Sequence, residues 1–282
     1  MTYNELRIES LGRLRSLSDV ENADFEFSTL VCHILGVTKA KLLAMRTELI
    51  DSVMLERIRE AIERRCAHEP LQYIIGEWEF FGLRMFCGSG CLIPRPETEL
   101  LVEKAIEYLP KGGHFLDLCT GSGCISVAVL NNRKDVTGTA VDISPKALEY
   151  AERNAKYHRV DDRLEIVNLP LEEYRPMSIP DVIISNPPYV KTDDVDAFPP
   201  LLRHEPRIAF DGGHDGLEFY KAIAMRYSSR FLKDGGVILF EAGYDTVREV
   251  EAILKYRKLK TTILTDMFGV ERVCMGIKEG RG

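Results

Sequence analysis

No apolar run in the 282-residue sequence approaches the roughly 20 residues that would span a bilayer. The opening Met1-Thr-Tyr-Asn-Glu5 also lacks the basic-then-apolar pattern of a signal peptide, so a cytoplasmic location and no membrane association are expected. Cysteine occurs seven times, at positions 32, 66, 87, 91, 119, 124 and 274. That odd number, with no Cys-x-x-Cys pair, argues against a disulfide framework or a zinc site and for reduced core thiols. The six histidines show no His-x3-His spacing, and no metal is assigned. Basic excess is missing too. The net charge of -7 gives no electrostatic footprint for duplex DNA, so nucleic acid is not expected as a partner. There is no internal repeat or low-complexity tract. With 45% hydrophobic and 29% charged residues, the composition suits a globular protein with one large α/β domain and a smaller one.

Helical spacing marks residues 3 to 70: Leu6, Leu11, Leu14 and Leu17, then Phe27, Leu30, Val31, Ile34 and Leu35 stopped by Gly36, then Leu55, Ile58 and Ile62. A small N-terminal helical domain over 1–70 is expected, serving either as a packed bundle or as a docking site for a partner. Over 71–93, Tyr73-Ile-Ile75, Trp78, Phe80-Phe81, Leu83 and Met85-Phe86 alternate with Gly76, Gly82, Gly88 and Gly90, which reads as short strands and turns forming a β-hairpin linker. From 94 to 282, strand signals at 115–118, 137–141, 164–167, 181–185 and 236–240 alternate with helical ones, and two short strands close the chain at 260–264 and 271–277. Repeated βα units predict an α/β fold, a doubly wound, mostly parallel seven-stranded sheet.

Asn186-Pro187-Pro188-Tyr189 follows the apolar run 181–185 and has almost no main-chain donors, because proline carries no N–H. Each proline also restricts the residue before it, which narrows the conformations of Asn186. One reading is turn punctuation at a strand end. The other is a site that accepts both hydrogens of an NH2 group, at the Asn186 side-chain oxygen and the Pro187 carbonyl, with the Tyr189 ring stacking on the substrate's planar group.

Asp117-Leu-Cys119-Thr120-Gly121-Ser122-Gly123 follows a strand and opens a helix, which aims backbone N–H groups at the crevice beyond the strand ends. The next strand ends at Asp142, about 20 residues beyond Gly121, where an acid accepts hydrogen bonds from ribose hydroxyls. Ser144 and Pro145 already supply an N-cap and a first-turn proline, leaving Asp142 free for a ligand. The third glycine of a dinucleotide fingerprint is replaced by Ser126 and nothing basic follows, which favours a nucleoside without phosphates, such as S-adenosylmethionine. Asp117 either meets the cofactor's ammonium or ties down the turn by accepting backbone N–H groups.

With these residues placed, the chain resembles the HemK-type release factor glutamine methyltransferases, which methylate the N5 amide of the glutamine in the Gly-Gly-Gln motif of peptide chain release factors. The resemblance runs through Gln72-Tyr-Ile-Ile-Gly76, Leu92-Ile-Pro-Arg-Pro-Glu-Thr-Glu99, 117–123, 185–190 and 205–216. It implies a Rossmann-like fold, S-adenosylmethionine converted to S-adenosylhomocysteine, release factors as partners and, on our expectation, a monomer. It also implies cofactor contacts from Cys119 to Gly123, from Asp142 with the adjoining Ile143, and from Asn186, while Asn186 to Tyr189 receive the substrate amide. Two departures from the family pattern stand out. Cys119 stands where the family usually has glycine, and the fourth strand ends in Asn168-Leu169-Pro170 instead of an acid and an aromatic for the adenine; Asn168 is expected to replace the acid as an acceptor, and Asn168 and Leu169 to contact the cofactor. Segment 94–99 is expected both to start a helix and to border the cofactor. Residues 205–216 form either plain turns or a loop that touches a protein substrate.

Asn-Pro-Pro-Tyr is shared with adenine N6 methyltransferases of DNA and RNA, which makes them the alternative within enzymology. The acidic balance disfavours it, and the strands and helices after Tyr189 leave no separate base-reading domain. A non-catalytic nucleoside-binding module is the rival of a different class.

Overall fold

The computed structural model describes residues 1–280. These divide into two compact units: Met1–Glu77 with Pro199–His204, and Trp78–Phe198 with the described residues from Glu205 onward.

The first unit holds helices α1 (Tyr3–Leu14), α2 (Ala23–Leu35), α3 (Lys39–Ala44), α4 (Ser52–Cys66) and α5 (Leu71–Ile75). Their apolar stripes meet in a core that includes Leu6, Leu14, Phe27, Leu30, Ile58 and Ile62, as the sequence spacing requires. One charge is buried with them. The Arg65 guanidinium is 1% exposed and is held by Glu26 (2.6 Å) and Asp19 (2.8 Å), so the cost of desolvating it is offset by two carboxylates. Tyr73-Ile-Ile75, expected as a strand, lies instead in α5. Pro70 precedes that helix and Gly76 ends it in the left-handed conformation, so the flanking residues override the β preference of two isoleucines.

In the second unit, β1 (Glu77–Phe80) and β2 (Leu83–Phe86) form a hairpin whose turn residues Phe81 and Gly82 both have positive φ, the geometry of a two-residue type I′ connection. The hairpin docks firmly. Phe80 and Met85 enter the main core, and the Asn154 side chain pairs with both the N–H and C=O of Phe86.

The remaining elements are α6 (Glu99–Tyr108), β3 (His114–Leu118), α7 (Cys124–Asn132), β4 (Thr137–Asp142), α8 (Pro145–Tyr157), β5 (Leu164–Asn168), β6 (Val182–Ser185), α9 (Thr192–Asp196), α10 (Glu218–Arg230), β7 (Val237–Glu241), α11 (Val247–Tyr256), β8 (Lys260–Thr265) and β9 (Glu271–Ile277). The seven-stranded sheet has the order β5-β4-β3-β6-β7-β9-β8, with only β9 antiparallel to its neighbours. Central strands buried on both faces read as continuous apolar runs; β6 and β7 are buried at every position. Helices α6, α7 and α8 contribute to the core on one face, and α10 and α11 to the core on the other. Among the described residues, no helix is long and apolar enough to cross a membrane, and no cluster of His, Cys, Asp or Glu is arranged to hold a metal ion.

The chain winds outward from β3 in both directions, to β4 and β5 on one side and to β6 and β7 on the other. Such a reversal opens a crevice at the carboxyl ends of the two strands where it occurs, here β3 and β6.

Candidate active site

The loop after β3 is the glycine-rich segment. The Thr120 N–H donates to the Val141 carbonyl (3.1 Å) and the Gly121 N–H to Asp142 Oδ2 (2.8 Å), so the loop is moored to the end of β4. Ser144 caps α8 through the Ala147 N–H, as its position before Pro145 predicts. Asp142 is nevertheless not free: its Oδ1 also accepts the Ser144 N–H at 2.8 Å. The expectation of a carboxylate reserved for ligand is corrected because a side chain at a strand end meets amides from both adjoining turns. A carboxylate offers about four lone-pair sites, so two remain for a pair of hydroxyls.

Asp117 is fully buried behind this loop. Its Oδ2 accepts the hydroxyls of Thr120 (2.6 Å) and Ser126 (2.7 Å), while Oδ1 has no hydrogen-bond partner. Burial pushes this carboxyl up to about 6, against the two hydroxyls that pull it down. Ser126 thus has a positive role where the sequence showed only a missing glycine. Cys119 has φ of 60°, the left-handed region that glycine occupies without strain.

The loop after β6 is Asn186-Pro187-Pro188-Tyr189. Ser185 anchors it by donating to the Leu118 carbonyl at 2.6 Å. The Asn186 amide donates from Nδ2 to Thr98 Oγ1 (3.2 Å), and Thr98 donates in turn to Glu241 Oε2 (2.6 Å). Pro187 and Pro188 are buried, and Tyr189 is half-buried against the core under α10 and α11.

Segment 205–216, open in the sequence between plain turns and substrate contact, braces the acceptor loop from outside. The Val190 N–H donates to the Phe210 carbonyl and the Gly212 N–H to the Val190 carbonyl, both at 2.8 Å. Glycine is required by this approach: a Cβ at Gly212 would lie 2.7 Å from Tyr189 Cα, and one at Gly216 2.5 Å from the Tyr189 carbonyl oxygen. Gly216→Ala is therefore expected to displace the acceptor loop and lower turnover by up to about 100-fold, because misplacement on the ångström scale has that cost. Cofactor affinity should stay within about threefold, since the crevice's other wall is untouched. Single-turnover kinetics beside calorimetric binding check this, and unchanged turnover would refute the bracing role.

Between the two loops lies an open crevice. Of the residues predicted from sequence, Cys119, Thr120, Gly121, Ser122, Asp142, Ile143, Leu169, Asn186 and Pro188 line it. Asp117, Gly123, Asn168, Pro187 and Tyr189 are not part of its wall. Asn168 directs its NH2 to the carbonyls of Asp142 (2.9 Å) and Ile143 (3.0 Å), tying two strand ends together. Sequence reasoning missed Glu172 and Phe219 in the wall; Glu205, read from sequence only as the start of the 205–216 turns, lies behind it, where its carboxylate accepts the Ile93 N–H at 2.9 Å and pairs with Arg95. Sequence reasoning also missed Glu241. The available signal was an acid closing the apolar run Val237-Ile-Leu-Phe240 at the carboxyl end of a central strand.

Comparison with known proteins agrees with this geometry. Residues 6–76 match the family model described as the PrmC N-terminal domain, and residues 96–213 match the Methyltransferase small domain. A release factor glutamine methyltransferase from Thermodesulfovibrio yellowstonii is 36% identical over 254 residues, covering 88% of this chain and 90% of the relative. One from Aquifex aeolicus is 32% identical over 273 residues, covering 96% and 95%. Among solved structures, a methyltransferase from Pyrococcus furiosus superposes with a TM-score of 0.55 at 17% identity, over 82% of this chain and all of that one, which supports the fold. With curated relatives above 30% identity matched over nearly their whole length, the chain belongs to the release factor glutamine methyltransferase family.

Proposed function

We propose that the protein transfers a methyl group from S-adenosylmethionine to the side-chain amide nitrogen of the glutamine in the Gly-Gly-Gln motif of peptide chain release factors. The observation that carries this reading is the pair of loops lining one crevice, one with backbone donors moored to a carboxylate, the other with Asn186, whose Nδ2 is bonded to Thr98 and whose Oδ1 is left to accept. The donor set suits the cofactor. Asp117 Oδ1 is a buried acceptor that an ammonium would satisfy, Asp142 retains lone pairs for two ribose hydroxyls, and Val141, Ile143 and Leu169 supply apolar wall for a base.

When bound, S-adenosylmethionine supplies a methyl carbon made electrophilic by a sulfonium centre. The protein's part is to position the acceptor nitrogen. Asn186 Oδ1 takes one N–H of the substrate carboxamide, which fixes the direction of the nitrogen's reacting face and stabilises the positive charge that grows there; the Pro187 carbonyl, the second acceptor expected from sequence, lies behind the wall at Pro188 and reaches the other N–H only once the substrate is seated. Pro187 and Pro188 add no donor to compete for those oxygens. Buried Ile93 in the crevice wall, held by the buried Glu205 carboxylate behind it, helps exclude water from the crevice. Both loops belong to one chain, in keeping with action as a monomer, and a release factor substrate fits a cytoplasmic location.

The test incubates the protein and radiolabelled S-adenosylmethionine with a release factor and with its Gln→Ala variant at the Gly-Gly-Gln position, with DNA and RNA in parallel. Label on the wild-type factor alone is expected. Label on nucleic acid instead would transfer the reading to an adenine amino group.

A further inference from the structure

Asn186 serves the proposed reaction only in one of its two amide orientations. With Oδ1 toward the crevice it accepts a substrate N–H; turned over, it presents an NH2 group to another NH2 group. The two ends of a carboxamide have nearly the same shape, so packing alone does not choose between them.

We propose that Thr98 and Glu241 are positioning residues that set the polarity of the Asn186 carboxamide, through a hydrogen-bond relay from Asn186 Nδ2 to Thr98 Oγ1 to Glu241 Oε2. This inference rests on the reading of Asn186 as the substrate acceptor. Thr98 has a single hydroxyl proton, and a carboxylate 2.6 Å away accepts only. That proton is therefore committed to Glu241, and Thr98 has lone pairs alone to offer Asn186, which must answer with its NH2 end at 3.2 Å. Both Thr98 and Glu241 are buried, so water does not scramble the relay. The fold also holds it rigidly. Thr98 ends the 3-10 turn Pro96–Thr98 that opens α6, Glu241 ends β7, and the Tyr220 hydroxyl donates to the Glu241 carbonyl at 2.7 Å.

Polarity lasts only while Glu241 is ionised. Once protonated, it is able to donate to Thr98, whose own proton is then released to face Asn186 Oδ1 and permit the inverted orientation. Burial raises this carboxyl to about 7, opposed by the Thr98 hydrogen bond and by Arg272 and Arg95, and reinforced by Glu97. The buried phenols of Tyr189 and Tyr220 also face it and are neutral in this range, their own ionisation pushed up by burial. The ionised, competent form is thus lost as pH falls through about 7, and turnover is expected to rise between about pH 6 and 8.

Thr98→Val and Glu241→Gln are each expected to lower kcat about tenfold at pH 8, the worth of exchanging a charge-assisted for a neutral or absent hydrogen bond. The Kd for S-adenosylmethionine and the Tm should be little changed. Thr98→Ser, which keeps the hydroxyl, should recover kcat to within about twofold, and Glu241→Gln should flatten the limb near pH 7. A readout without substrate is the side-chain amide pair of Asn186 in 15N-edited NMR of the full-length protein, identified by its disappearance in Asn186→Ala. Its shifts should titrate near pH 7 in the wild type and not in Glu241→Gln. Wild-type kcat in Thr98→Val, or Asn186 signals indifferent to pH, would overturn the relay. If the wild type leaves the release factor unlabelled, the proposed reaction fails while the NMR titration still decides the relay.

Discussion

Asn186→Ala is expected to lower turnover about 10²- to 10³-fold, the loss typical when one preorganised hydrogen-bonding group is taken from a site of developing charge. The acceptor loop keeps its backbone, because both prolines and the Ser185 anchor to Leu118 remain. The loss should therefore lie in kcat, with the Kd for S-adenosylmethionine shifted only a few-fold through the crevice wall that Asn186 shares. Rapid-quench single turnovers on a release factor separate the chemical step from product release. Turnover equal to that of the wild type would remove Asn186 from the reaction.

Asp142→Ala should have the opposite signature. Two hydrogen bonds from hydroxyls to a carboxylate are worth about 3 kcal/mol together, so cofactor binding is expected to weaken roughly 100-fold. Part of that loss is conformational, since Asp142 also moors the Gly121 and Ser144 amides. Asp142→Asn separates the two parts: its single oxygen can hold one amide, while its NH2 group faces the other donor, giving an intermediate affinity. Isothermal titration calorimetry measures both variants, and binding by Asp142→Ala within threefold of the wild type would show that the ribose-type contact does not exist.

Most of the sheet was legible because central strands such as Val182–Ser185 and Val237–Glu241 are short apolar runs bounded by turn residues, and pattern alone reveals those. The two crevice loops were legible for a related reason. Glycine and proline restrict the backbone locally, so their consequence is written within a few residues of chain.

What stayed hidden depends on distance in sequence. The partners in the Thr98 to Glu241 hydrogen bond are 143 residues apart, and nothing near either residue names the other. The bracing of Tyr189 by Gly212 and Gly216 likewise arises from packing between separate segments. Tyr73-Ile-Ile75 failed for the converse reason: a β-prone triplet is too short to outweigh the helix signals of Pro70 and Gly76 on either side.

The residues of the crevice wall also include three cysteines, Cys91, Cys119 and Cys124. A sulfonium methyl carbon reacts readily with thiolates, so these side chains are potential sites of self-alkylation. Burial keeps them out of that chemistry: it raises Cys91 and Cys124 to about 12 and Cys119 well above the ordinary thiol range. Held as neutral thiols, they are poor nucleophiles. The same desolvation that lets a weakly nucleophilic carboxamide react thus protects the catalyst from inactivating itself.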